Sequence, residues 1–251
     1  MTLPRTFLVL PLLAVSAIAA SSSAETLESV QRKLQEKVAG YKTIQFRSQM
    51  RAETSQGGVM VTSWLQQVTE FLKEGDKVLS RIESKSERVE KAGDQSAKME
   101  SSLLEISDGQ HDYALLEAQG AIRATKRTAN TTNRFTPFDP MRGFKMMEEN
   151  IEMRLLPDET IDGQETFVIE MKPRSGSANL PAGRSLVYYD KATGINVRSI
   201  TYDMRGKLTT TTVNTDIKID APIARDRFAF KPPPGVEVTD LTNVPTSAPA
   251  R

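Results

Sequence analysis

The chain contains no cysteine. That excludes a disulfide framework, a thiol nucleophile and a cysteine-held metal, and it leaves no cysteine to carry a lipid anchor. There is a single histidine, His111, among 251 residues, so a zinc site would have to be built almost entirely from carboxylates. Neither a G-x-S-x-G elbow nor a phosphate-binding loop occurs. His111, beside the turn Asp108-Gly109, reads as an ordinary strand residue, and Glu148-Glu149 as a solvated helix face, because adjacent helical residues point to different sides. No catalysis, metal or cofactor is expected. Charge of one sign is also lacking: 33 Lys and Arg stand against 32 Asp and Glu, which leaves no basic surplus for nucleic acid.

Long apolar runs are equally scarce, with one exception at the start. Arg5 is followed by an apolar run of about fourteen residues containing Pro11, well short of the roughly twenty that span a bilayer. Small residues follow at Ala17, Ala19, Ser22 and Ala24. The pattern predicts a secretory signal peptide over residues 1–24, cleaved after Ala19 or Ala24. Its removal leaves 32 basic and 32 acidic residues, so the exported chain is close to neutral and is expected in a bacterial periplasm.

What the sequence has in quantity is β-strand rhythm. From Ser185 to Ile219 it reads as three consecutive strands. Leu186 to Tyr189 leads into the turn Asp190-Lys-Ala-Thr-Gly194; Ile195 to Tyr202 leads into Asp203-Met-Arg-Gly206; and Thr209, Thr211, Val213, Thr215, Ile217 and Ile219 follow in one phase. Upstream, Tyr41 to Thr54, Val59 to Leu72, Val78 to Glu83, Met99 to Ser107, His111 to Glu117 and Gly120 to Arg127 repeat at about ten-residue spacing. In the second of these the phase is ambiguous: Met60, Trp64, Val68 and Leu72 form one set, and Val61, Leu65 and Phe71 the other. Ser84 to Lys98 is highly charged and reads as a long exposed hairpin end or loop. Strands Ile151 to Leu155 and Thr166 to Met171 lie further on. Pro232 to Pro234 cannot donate to a ladder, which places Arg225 to Asp240 at an edge or outside the sheet. Residues 244–251 read as a disordered tail.

Two helices are expected. Thr26 can cap a helix with Leu27, Val30, Leu34 and Val38 on one stripe and Gly40 past its end. Asp139 and Pro140 form a favoured start for a second, although Gly143 in its interior costs about 1 kcal/mol relative to Ala. This second segment gathers Phe135, Phe138, Met141, Phe144, Met146 and Met147 with Arg134, Arg142 and Lys145 between them. It is either a core helix closing one end of the sheet or a movable lid, for which flexible methionines suit alternating contacts.

These features together resemble a known family. The amphipathic helix after a signal peptide, the antiparallel meander, the Ile106-Ser-Asp-Gly109 turn, the Phe/Pro-containing helix after mid-chain and the segment Asp226-Arg-Phe-Ala-Phe-Lys-Pro-Pro-Pro-Gly-Val-Glu-Val-Thr-Asp240 look like those of the LolA-type outer-membrane lipoprotein carriers and their superfamily. The resemblance implies a mainly β, unclosed antiparallel half-barrel over residues 25–243, with an N-terminal helix and a lid helix covering an apolar cavity. It further implies a monomeric periplasmic carrier or chaperone that binds lipoprotein acyl chains or lipid, taking cargo from an inner-membrane transporter and passing it to an outer-membrane receptor. On that reading the cavity is lined by Phe46, Trp64, Val68, Phe138, Met141, Phe144, Met153, Ile169 and Met171. The rival expectation is an envelope sensor or scaffold whose sheet binds a protein partner.

Overall fold

A computed structural model describes residues 25–129, 136–174 and 183–243. The expected leader (1–24) and tail (244–251), most of the 128–134 loop, Phe135 and the Gly/Ser loop after Arg174 lie outside the described residues.

The expected fold class is the one observed: a single open sheet, antiparallel except for its last short strand, with two helices. The elements run α1 (Leu27–Ala39), β1 (Thr43–Gln56), β2 (Val59–Glu74), β3 (Lys77–Ala92), β4 (Gln95–Ser107), β5 (His111–Ala118), β6 (Ala121–Thr128), α2 (Pro140–Glu148), β7 (Ile151–Ile161), β8 (Gln164–Pro173), β9 (Arg184–Asp190), β10 (Asn196–Tyr202), β11 (Leu208–Ile219), a 3-10 turn (Arg225–Phe228) and β12 (Val238–Asp240). Strand order is β12-β6-β5-β4-β3-β2-β1-β11-β10-β9-β8-β7, so the two meanders join where β1 meets β11, and β7 and β12 remain as edges. Closure would have removed those edges. Here β7 carries Pro157 and a register shift between Leu156 and Glu159, both tolerated at an edge.

Ser84 to Lys98 is strand rather than loop. β3 and β4 pair without interruption from Ser80↔Ser107 to Ala92↔Gln95 around a turn at Gly93-Asp94. Both faces of this hairpin end are solvated, so it has no apolar alternation to betray it. Opposite charges meet across and along the strands instead: Lys98 pairs with Glu87 and Glu100, and Arg88 with Glu90. At the other end of β1, Gly57 and Gly58 sit at φ 59° and 80°, the left-handed pair that a two-residue hairpin turn requires.

Because cross-strand partners share a face, the register sorts the sheet. Ile44 faces Phe71 and Ile219. Ile169 sits between Leu155 and Val187, and Met171 between Met153 and Ser185. These residues form the helix-bearing face. Its core has two parts: Val30, Leu34, Phe144, Phe167, Ile169, Val187 and Tyr189, and then Val38, Ile44, Phe71, Phe138 and Ile195.

The opposite face is also covered in part. Arg225 to Asp240 crosses it as a strap: Arg227 makes two hydrogen bonds to Glu70 (3.1 and 2.8 Å), Phe230 stacks on Tyr113 with ring centres 5.0 Å apart, and β12 pairs in parallel with Ala124–Lys126 of β6. The expected edge position is thus realised by three residues of parallel pairing.

On the same face near β7, the Glu170 side chain is 3% exposed and receives Arg154 (3.0 Å), Lys172 (3.1 Å) and Arg184 (3.3 Å). Burial alone would raise its carboxyl, but hydrogen bonds and charge from Lys172 and Arg154 outweigh it and hold the group below the usual carboxylate range. A depressed native value stabilises the fold above the ordinary glutamate pKa of about 4.3, and that contribution is lost as pH falls through the native value. Glu170→Gln should therefore be less stable than wild type near neutrality, with the gap narrowing below about pH 4. Urea midpoints measured across that range check this; parallel pH profiles for the two proteins would count against it.

Candidate functional site

The site is the seam between α2 and the sheet, and it starts with α1. Thr26 accepts from the Ser29 amide (3.2 Å) while Ser29 Oγ accepts from the Thr26 amide (3.0 Å), a reciprocal cap at the first turn. Of the expected stripe Leu27, Val30, Leu34 and Val38, the last three are fully buried and Leu27 at the helix start is half-buried. The β9–β10 turn comes close to the last turns of this helix. A Cβ on Gly194, at φ 73°, would stand 3.0 Å from the Lys37 Cβ and 3.4 Å from the Leu34 carbonyl, so only glycine permits this approach without strain.

α2 is nine residues long, too short to persist alone in water. Asp139 caps it by accepting from the Arg142 amide (3.1 Å), and Pro140 occupies the first turn, as expected. Two aromatic rings anchor it: Phe144 meets Tyr189 edge-on at 6.0 Å, and Phe138 meets Phe71 edge-on at 6.3 Å. Phe144 is 1% exposed. Gln35 of α1 adds a polar clamp, its Nε2 donating to the Phe138 carbonyl and its Oε1 accepting from the Met141 amide, both at 3.4 Å. That amide is one of the first-turn donors with no partner inside its own helix. Burial also pushes the Tyr189 phenol well above its ordinary value, so Tyr189 stays neutral and serves as apolar floor.

Seven of the nine expected lining residues lie in this seam. Phe144, Ile169, Met141, Met153 and Met171 share the first cluster; Phe138 and Phe46 belong to the second. Trp64 and Val68 do not join them. Phe46 pairs with Thr69, which puts the odd-numbered residues of β2 (Leu65, Thr69, Phe71) on the helix-bearing face and Trp64 and Val68 on the other. There they are 38% and 39% exposed. The reason is that β2 is apolar in both phases although only its Thr69–Phe71 end is buried, and Trp64 and Val68 lie on the face that the strap covers only in part. Spacing alone could not say which phase met which cover.

Trp64 and Val68 instead line two adjoining grooves on the strap side. One, of about 530 Å³, has Val68, Leu104, Leu115, Ile122 and Pro233 in its wall; the other, of about 870 Å³, includes Trp64. A polar row runs between them, from Gln66 through Lys85 and Ser102 to Glu117, each the cross-strand partner of the next.

Phe167, Val187, Tyr189, Gln31 and Gln35 also belong to the seam and were not anticipated. Phe167 was within reach, since it shares the period-two phase of Ile169 and Met171; Val187 and Tyr189 were not, because Leu186 to Tyr189 is apolar and buried in both phases. The glutamines carried no signal, because polar residues beside an apolar stripe ordinarily face water.

His111 sits in a turn where Asp108 Oδ1 accepts from the Gln110 amide (2.8 Å) and the His111 amide (2.7 Å). No group of three or more His, Asp or Glu that could hold a metal occurs among the described residues, and no described helix is long and apolar enough to cross a membrane.

No family model and no curated protein matches the sequence. Solved structures do. A candidate outer membrane lipoprotein-sorting domain from Vibrio parahaemolyticus shares 15% identity over 81% of this chain and 96% of its own, with TM-score 0.38. MucB shares 14% identity over 81% of this chain, with TM-score 0.45, and the chain spans 62% of it. A LolA superfamily protein from Nitrosomonas europaea shares 14% identity over 82% of this chain and 99% of its own, with TM-score 0.29. The likeness is one of fold. No residue's role is carried across from it.

Proposed function

We propose that the chain is a periplasmic carrier or chaperone that receives an acyl chain of a lipoprotein or lipid beneath α2 and moves it towards the outer membrane. The observation that carries this reading is the seating of α2. A nine-residue helix, weak on its own, plugs an apolar floor with Phe138 and Phe144 and is tied to α1 by one glutamine. Its departure would uncover Phe167, Ile169, Val187 and Tyr189. A chain entering there would gain about 0.8 kcal/mol per buried methylene, so ten methylenes supply roughly 8 kcal/mol before ordering costs, the scale of micromolar binding. Removal of residues 1–24 on export, loading at an inner-membrane transporter and unloading at an outer-membrane receptor belong to the same reading.

The test is to purify the protein from the envelope fraction, identify co-extracted lipid by mass spectrometry and titrate a fluorescent fatty acid. Co-purified acyl lipid with saturable, micromolar probe binding is expected. Absence of both sinks the carrier reading. A second reading, an envelope sensor or scaffold that binds a protein partner, is favoured by the grooves on the strap side. Their exposed Trp64, Val68 and Ile122 are what a partner's apolar side chains would meet.

A further inference from the structure

Gln31 is the residue in the seam whose chemistry is unused. It is 6% exposed, its Nε2 is buried, and the side chain makes no hydrogen bond among the described residues. A buried amide donor without an acceptor is destabilising, and α1 would be more stable with leucine or methionine there.

Its position says what it faces. Gln31 precedes Gln35 by four residues and so lies directly beside it on α1, on the flank where Gln35 grips the start of α2. The helices run in opposite directions. The end of α1 near Val38 shares a cluster with Phe138, and the end near Leu27 shares one with Phe144, Met141 and Met147. Gln31 therefore lies along the body of α2, above the floor made by Phe167, Ile169 and Tyr189. That places a lone donor at the side of an apolar slot which α2 fills in this structure.

We infer that Gln31 is a recognition residue for the acyl linkage of the cargo: its Nε2–H donates to the carbonyl oxygen of an ester- or amide-linked acyl chain whose methylenes replace Phe144 and Met141 on the sheet. The assignment rests on the reading of α2 as a cover over an acyl site and adds the chemistry of the linkage to it. A purely apolar slot would take any alkyl chain. A slot with one buried donor prefers a chain that brings an acceptor, because a cargo without one leaves the donor unsatisfied in the complex as well. The carbonyl is common to ester-linked and amide-linked acyl groups and absent from alkyl ethers, whose in-chain oxygen is a weaker acceptor.

The experiment uses three fluorescent probes of equal chain length on a glycerol-like head, one ester-linked, one amide-linked and one ether-linked, titrated into the mature protein. Wild type should bind both carbonyl probes roughly three- to tenfold more tightly than the ether, the span expected of one neutral hydrogen bond. Gln31→Leu should bind all three alike, with the ether affinity unchanged or improved and a melting temperature equal to or above that of wild type. Equal binding of the three probes by wild type would overturn the assignment of Gln31 and leave the acyl site standing, and that comparison needs no variant to fold. Retention of the carbonyl preference in Gln31→Leu would overturn it too. Failure of wild type to bind any of the three would remove the acyl site itself, and the inference with it.

Discussion

Phe144→Asp should free α2 from the sheet while the sheet stays folded. In the folded protein Phe144 is essentially without solvent exposure and sits edge-on to Tyr189, in a cluster drawn from α1, β8 and β9. Truncating such a ring costs about 3–5 kcal/mol, and an ionised carboxylate left in its place costs more. The chain can avoid that penalty. α2 is a nine-residue helix held by Phe138, Phe144, the packing of Met141 and Met147, the Gln35 clamp and a bond from Arg174 Nε to the Glu148 carbonyl (2.9 Å), so lifting it into water carries the new charge out of the core at the cost of those contacts. The sheet keeps its ladders and α1 keeps its stripe. Far-UV circular dichroism should therefore retain the β signal, amides of Met141 to Glu148 should exchange faster than those of β8 and β9, and a fluorescent fatty acid should enter and leave at least tenfold faster. Cooperative loss of the whole β signal would mean that α2 is ordinary core, and the lid would have to be given up.

The legibility of this fold in its sequence follows from which elements have one covered face and which have two or none. α1 is amphipathic between water and sheet, so its stripe, its Thr26 cap and its stop are all readable. β9 is apolar and buried in both phases, yet the turn residues Asp190 to Gly194 and Asp203 to Gly206 place both of the turns that follow it. The β3–β4 extension is solvated on both sides and β2 is apolar on both sides, and in each case period two cannot assign the faces. For β2 the assignment comes from elements far along the chain. Ile44, Phe71, Phe138 and Val38 meet in one cluster, and that contact fixes Phe71 towards the helices and Trp64 away from them. The strap shows a related limit. Its prolines announce an edge, whereas the Arg227–Glu70 bonds and the Tyr113–Phe230 stack join residues more than a hundred positions apart. Gln31 and Gln35 were hidden because the same residue type on a helix flank is solvent-facing until a second helix packs on it.

Leu34→Ala should lower the stability of the whole domain, in contrast to the local release at Phe144. Leu34 is fully buried at the centre of α1, whose Val30 and Leu34 serve one half of the core and whose Val38 serves the other. Truncation removes the transfer free energy of the side chain and leaves a cavity between β8, β9 and α2 that packed neighbours cannot fill, a loss of about 3–4 kcal/mol by comparison with other buried leucines. α1 has no escape of the kind open to α2, since its departure would strip both clusters at once and expose Ile44 and Phe71 with them. The melting temperature should fall by roughly 6–16 °C, taking about 2–4 °C per kcal/mol for a domain of this size. Helix and sheet signals should disappear together. The two substitutions should also couple. Once Phe144→Asp has removed α2, Leu34 is already open on one side, so its truncation should cost at least about 0.5 kcal/mol less than in wild type, the usual floor for residues in contact. Strict additivity in that double-mutant cycle would show that Phe144→Asp leaves α2 in place, and a fall of under about 1 kcal/mol for Leu34→Ala alone would show that α1 is a peripheral cover and not the common support of both clusters.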